Sequence, residues 1–139
     1  MRNLTISSNC CNNLDEINLN QFEWLRSIEI GDMCFASVHT FKVDGLYRLK
    51  TIKIGSKSFI ERKTDSYSGN QSKSFHILNC ESLESIQIGP YSFVDFAGDF
   101  ELKNLPQLQY IQIGAIGSDS SNFWYSSFVI RGIYMILNI

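Results

Sequence analysis

The chain has 139 residues and a formal net charge of −2, with basic and acidic residues scattered along its length. That suits a single domain and supplies none of the electrostatic footprint that nucleic acid or an anionic membrane requires. No apolar run approaches the roughly 20 residues needed to cross a bilayer, and the N-terminal stretch lacks the apolar core of a signal peptide, so neither a nucleic-acid partner nor membrane insertion is expected.

In chain order, Leu4-Thr5-Ile6-Ser7 comes first, followed by Cys10 and Cys11 and the spaced pair Ile17 and Leu19. The string L-x-x-I-x-I-G then runs from Leu25 through Ile28 and Ile30 to Gly31, with Cys34 and Phe35 after it and the pair Phe41 and Val43 beyond. The order repeats with Leu49, Ile52, Ile54 and Gly55, then Ser58 and Phe59, then Phe75 and Ile77. It repeats again with Leu83, Ile86, Ile88 and Gly89, then Ser92 and Phe93, then Phe100 and Leu102. Leu108, Ile111, Ile113 and Gly114 form the fourth copy of the string. Phe128 and Ile130 open a fifth unit, which continues through Ile133 and Ile136 to Ile139. Units start near residues 17, 41, 75, 100 and 128, spaced by 24, 34, 25 and 28. One repeat array over residues 1–139, with incomplete units at both ends, is the expectation.

In I-x-I the two isoleucines share one face and the residue between them points away, the period of a half-buried strand. Six positions separate Phe35 from Phe41 and seven separate Phe93 from Phe100, too few for a helix of ordinary length between the apolar clusters. Each turn is expected to hold two short strands in parallel sheets, with little or no helix. The recurring glycine is expected to mark a sharp bend through positive φ. Asn79 and Asn104, matched by Gly45 and Gly132, fall at another bend, where an Asn side chain could bond the neighbouring backbone.

Two stretches break the period. Residues 60–74 have almost no apolar content and read as a solvated, mobile loop. Residues 116–127 form a second loop insertion carrying Phe123, Trp124 and Tyr125 among serines; one of these aromatics is expected to fill that unit's phenylalanine position, leaving at most two free to bind a partner.

Written out, the unit resembles the leucine-rich repeats of the BspA-like type, which read roughly C-x-x-L-x-x-I-x-I-P…I-G-x-x-A-F. Cys80-Glu81-Ser82-Leu83-Glu84-Ser85-Ile86-Gln87-Ile88-Gly89-Pro90-Tyr91-Ser92-Phe93 is the best local match. The departures are a glycine where that type has proline and an extra F-x-Φ strand. The resemblance implies a right-handed solenoid, predominantly β, that binds a protein or a glycan, often at a cell surface. It carries over no catalytic residues.

The four cysteines all fall on positions of the unit. They are expected to pack as small hydrophobes, with a Cys10–Cys34 bridge as the alternative; no zinc spacing occurs. His39 and His76 read as solvated residues without acidic neighbours. No catalytic constellation appears, so no enzyme and no cofactor is expected. Outward positions of successive strands give the columns Thr5, Glu29, Lys53, Gln87, Gln112 and Ser27, Thr51, Ser85, Tyr110. The candidate partner-binding residues are therefore Glu29, Lys53, Gln87, Gln112, Thr51, Tyr110, Trp124 and Tyr125. A polar face of mixed charge suits protein contacts and ordinary solvated strands equally. The expected function is a non-catalytic interaction scaffold; the alternative is a structural segment of a longer array, open to end-to-end association through its uncapped ends. Unpaired cysteines point to a reducing cytoplasmic compartment. The glycosylation patterns Asn3-Leu4-Thr5 and Asn70-Gln71-Ser72 would matter only in a secreted, surface-displayed chain.

Overall fold

A computed structural model describes residues 2–61, 69–114 and 121–125. Among these, every regular element is a strand: β1 (Asn3–Ile6), β2 (Ser27–Ile30), β3 (Thr40–Asp44), β4 (Thr51–Ile54), β5 (Ser74–Leu78), β6 (Ser85–Ile88), β7 (Phe100–Lys103) and β8 (Tyr110–Ile113). They form two parallel sheets, one of five strands in the order β1-β2-β4-β6-β8 and one of three in the order β3-β5-β7. Among the described residues no helix is long and apolar enough to cross a membrane.

The pairing puts like residues beside like. Leu4 pairs with Ile28, Ile28 with Ile52, Ile52 with Ile86 and Ile86 with Ile111. In the second sheet Phe41, Phe75 and Phe100 pair in turn. A strand spacing of about 4.8 Å is also a good distance for offset ring stacking. Accordingly Phe35, Phe59, Phe93 and Phe123 stack with centroids 5.2, 4.6 and 5.2 Å apart, and Phe41, Phe75 and Phe100 at 5.2 and 5.0 Å. The two stacks meet edge to face: Phe41 on Phe59 at 5.3 Å, Phe75 on Phe93 at 5.0 Å and Phe100 on Phe123 at 4.9 Å. Phe123 is thus the aromatic that fills the inward position in its loop.

Polar columns hold the bends between strands. The Ser58 hydroxyl donates to Gly31 O at 2.8 Å and accepts from Cys34 N at 3.1 Å; that of Ser92 donates to Gly55 O at 2.6 Å and accepts from Ser58 N at 3.0 Å. Cys34 Sγ makes the equivalent contact with Ser7 O at 3.1 Å, and Asn122 Nδ2 with Gly89 O at 2.8 Å. A small polar residue is needed here because its side chain satisfies backbone groups of the adjoining bend that would otherwise be buried unpaired.

The glycines have a different role from the one the sequence suggested. Gly114 does take positive φ, at 80°, but Gly31, Gly55 and Gly89 do not. At Gly89 a Cβ would stand 2.6 Å from Gly55 C, so the absent side chain is what lets neighbouring bends approach. Left-handed backbone falls instead two and four residues later, on Met33 and Phe35, Lys57 and Phe59, and Tyr91 and Phe93, at φ between 55° and 64°. Their strain is offset by the continuous stacks it permits. The Asn79 and Asn104 bend is left-handed too, with Gly45 at φ 77° in the same place. There the bonds run between side chains: Asn79 Nδ2 donates to Asp44 Oδ1 at 2.9 Å and Asn104 Nδ2 to Asn79 Oδ1 at 2.6 Å.

Other expectations are modified. Ile17 and Leu19 form no strand, although Leu19 is buried. Asn18 Oδ1 accepts from Asn20 N, and Asn20 Oδ1 accepts from Asp44 N at 2.9 Å, so side chains replace the main-chain ladder. Within residues 60–74 the described part is not solvated loop throughout. Ile60 is buried, Lys73 is fully buried, and Asn70 bridges to Phe96, because Lys73 finds a carboxylate partner inside. Residues 62–68, most of 116–127 and the expected fifth unit from Phe128 lie outside the described residues, as does Gly132.

Two substitutions separate the two uses of glycine. Gly89→Ala is expected to lower stability by about 1 to 3 kcal/mol through overpacking, whereas Gly45→Asn, matching Asn79 and Asn104, is expected to change it by less than about 0.5 kcal/mol. Urea denaturation midpoints of the two variants check both.

Candidate partner-binding surfaces

The outward columns of the five-stranded sheet are in register. Thr5 pairs with Glu29, Glu29 with Lys53, Lys53 with Gln87 and Gln87 with Gln112. Ser27, Thr51, Ser85 and Tyr110 form the column beside it. Glu29, Lys53 and Thr51 are exposed, while Gln87, Gln112 and Tyr110 are half-buried. The Tyr110 hydroxyl donates to Gln112 Oε1, and Gln112 Nε2 donates to Gly114 O at 3.1 Å. One end of the face is therefore held by internal bonds, and the free charges sit on β2 and β4.

Trp124 and Tyr125 lie elsewhere. Phe123 turns inward, leaving Trp124 59% and Tyr125 39% exposed. Both border a cleft of about 540 Å³, with Met33, Lys57, Ile60, Tyr91, Val94 and Ser121. Met33, Lys57, Tyr91 and Ser121 are the left-handed residues of successive bends, with φ of 55°, 57°, 64° and 54°, so the backbone strain of each bend presents one side chain along the cleft. Tyr125 packs over Gly69, where a Cβ would stand 2.6 Å from Tyr125 Cβ. None of the polar-column residues lines this cleft, so the residues singled out from sequence divide between two surfaces.

A third surface was not read from the sequence. Arg48 lies over the Trp24 ring at 4.5 Å from its centroid and near Tyr47 at 5.5 Å; Trp24 is 54% and Tyr47 45% exposed. Trp24 and Arg48 each directly precede a core leucine, Leu25 and Leu49. That shared position is the signal that would have found the pair.

The histidines are not solvated singletons. His76 Nδ1 is 2.6 Å from Glu101 Oε1, its register partner, and His39 Nε2 is 3.4 Å from Glu61 Oε1. All four cysteines are free thiols, so no Cys10–Cys34 bridge is present. Among the described residues no group of three or more His, Cys, Asp and Glu side chains is placed to hold a metal ion.

Burial raises the Cys80 thiol above its ordinary 9.0, against the opposing effect of backbone hydrogen bonding at Leu46 and Gly45. Cys11 is raised too, by desolvation first and then by Cys10 and Cys34. A raised pKa in the folded state contributes stability that is complete below the unfolded value and is lost as pH rises toward the folded one. Urea midpoints are expected to fall as pH rises above 9.0, and less so in Cys80→Leu, which matches Leu46 in the equivalent position. In native protein Cys34 and Cys80 are expected to resist maleimide until the chain unfolds, as peptide mass mapping would show.

Comparison with family models, with curated proteins and with solved structures finds no match for this chain.

Proposed function

We propose that the chain is a leucine-rich-repeat-type, right-handed solenoid that serves as a non-catalytic scaffold for binding another protein. Support for the solenoid comes from the register offsets, Ser27 to Thr51 to Ser85 to Tyr110, which follow the spacing of the sequence units. The resemblance of Cys80–Phe93 to the BspA-like type bears on subtype.

One observation carries the binding reading: both tryptophans, Trp24 and Trp124, are more than half exposed in a chain whose phenylalanine stacks are buried. Large exposed aromatics are the informative exception to burial. Each has tyrosine neighbours and a cation nearby, Tyr47 with Arg48 and Tyr91 and Tyr125 with Lys57. Trp, Tyr and Arg are the residues that dominate measured interfaces.

A second reading rests on the β1 end. Leu4, Ile6, Cys10 and Cys11 are only partly buried, whereas their column partners Ile28, Ile30, Cys34 and Phe35 are 1% exposed. That open column and the free edge of β1 favour association with a second copy. A monomer in sedimentation at high concentration would remove this reading.

The binding proposal is tested by cross-linking capture followed by titration of the captured protein. Trp124→Ala, Trp24→Ala and the pair Lys53→Ala with Gln87→Ala are expected to weaken binding, by more than about tenfold at a true anchor, with unchanged circular dichroism. Binding that survives all of these substitutions, or that selects glycans in place of protein, sinks the proposal.

A further inference from the structure

Among the described residues buried charge gathers at one place, and it has the composition of a reactive site. Lys73 precedes β5, and its side chain is 0% exposed. Its Nζ donates to Asp95 Oδ2 at 2.7 Å and lies 3.4 Å from Glu61 Oε1. The Phe96 ring stands 5.7 Å from Nζ. Asp95 is 6% exposed, and its second oxygen, Oδ1, is buried with no hydrogen-bond partner. Glu61 and Asp95 hold the same position in neighbouring units, two residues after Phe59 and Phe93. His39 and Lys73 likewise hold one position, two before Phe41 and Phe75.

As a salt bridge this arrangement is uneconomical. A pair of buried charges recovers its desolvation only with full hydrogen bonding, and Asp95 Oδ1 has none. As a set of reactants it is complete: an amine nucleophile, a carboxyl group, a second carboxylate to carry protons, and an aromatic wall that limits water. We infer that Lys73 and Asp95 condense to an intramolecular amide, with Glu61 as the proton carrier; this goes beyond the binding role and does not depend on it.

The steps balance without an outside reagent. A proton passing from Nζ to Oδ2 along their hydrogen bond leaves a neutral amine beside a neutral carboxyl group. The amine lone pair attacks Cγ of Asp95. Since a C–O bond adds about 1.2 Å to the contact, Cγ is at most about 3.9 Å from Nζ, near the reach of a near-attack pair. Glu61 takes a proton from the nitrogen of the tetrahedral adduct and delivers it to the departing hydroxyl, which leaves as water. The Nζ–Cγ bond forms and one Cγ–O bond breaks, with Oδ1 retained as the amide carbonyl. Glu61 also borders a cleft of about 470 Å³ with Asn12, Ser37 and Lys57, which offers the released water an outlet. The product replaces two buried charges by one neutral amide and ties the segment before β5 to the segment after Phe93.

Intact mass spectrometry of the folded full chain tests this. The expected result is a mass one water below the sequence value, and a proteolytic fragment in which the Lys73 and Asp95 peptides are joined as a branch. Lys73→Arg and Asp95→Ala should return the full mass. Glu61→Gln should do so while keeping native circular dichroism and the Lys73–Asp95 contact. A wild-type chain of full sequence mass overturns the inference and leaves a salt bridge. So does a water loss that persists in Lys73→Arg and maps to Asp44-Gly45, where a cyclic imide would account for it.

Discussion

Parallel strands paired in register put each side chain about one strand spacing, roughly 4.8 Å, from the residue in the same place on the next strand. Every position must therefore hold a group that tolerates its own kind at that distance. Isoleucine does so by packing, and phenylalanine by stacking, as Phe59 on Phe93 at 4.6 Å. Serine does so by donating to one neighbour and accepting from another, as at Ser58. Glycine does so by having nothing to clash, as at Gly89. The limited vocabulary of the recurring string follows from this one spacing.

Keeping the columns continuous is costly elsewhere. Inward phenylalanines on successive bends require left-handed backbone at residues with side chains, a strain of order 1 to 3 kcal/mol apiece that persists only when surrounding packing over-determines it. The same bends turn Met33, Lys57 and Tyr91 outward along the cleft that Trp124 borders. Core and candidate interface thus share a cause: the conformation that seats Phe35, Phe59 and Phe93 also exposes the residues two positions before them.

The ten additional residues between β4 and β5 leave the columns undisturbed, since Ile54 still pairs with Ile88 and Phe41 with Phe75. What they introduce is polarity inside. Lys73 is carried under Phe96 and held by Asp95 and Glu61, the one described region where charge replaces stacking. Lys73 stands where the preceding unit has His39, and Asp95 where it has Glu61, so these two positions of the unit hold charge where its other inward positions hold apolar groups.

Apart from Ile17 and Leu19, which form no strand, the described strand positions, their pairing partners and the two outward columns were legible in the sequence, because a period-two pattern repeated at fixed offsets specifies both facing and register. The inward seat of one aromatic among Phe123, Trp124 and Tyr125 followed from the same alignment. The candidate site was legible only in part. Residues such as Lys53 and Gln87 came from columns, but the Trp24–Arg48–Tyr47 stack and the partners of His39 and His76 needed coordinates. They depend on how long side chains lean across neighbouring strands, which no linear pattern encodes. The expected positive φ holds at Gly114 but not at Gly31, Gly55 or Gly89, where close approach of neighbouring bends is what excludes a side chain; both demands select the same residue. Lys73 was the largest departure: composition marks it as solvated, and only a tertiary arrangement that brings Asp95 and Glu61 to it can make a lysine the most deeply buried charge in the described chain.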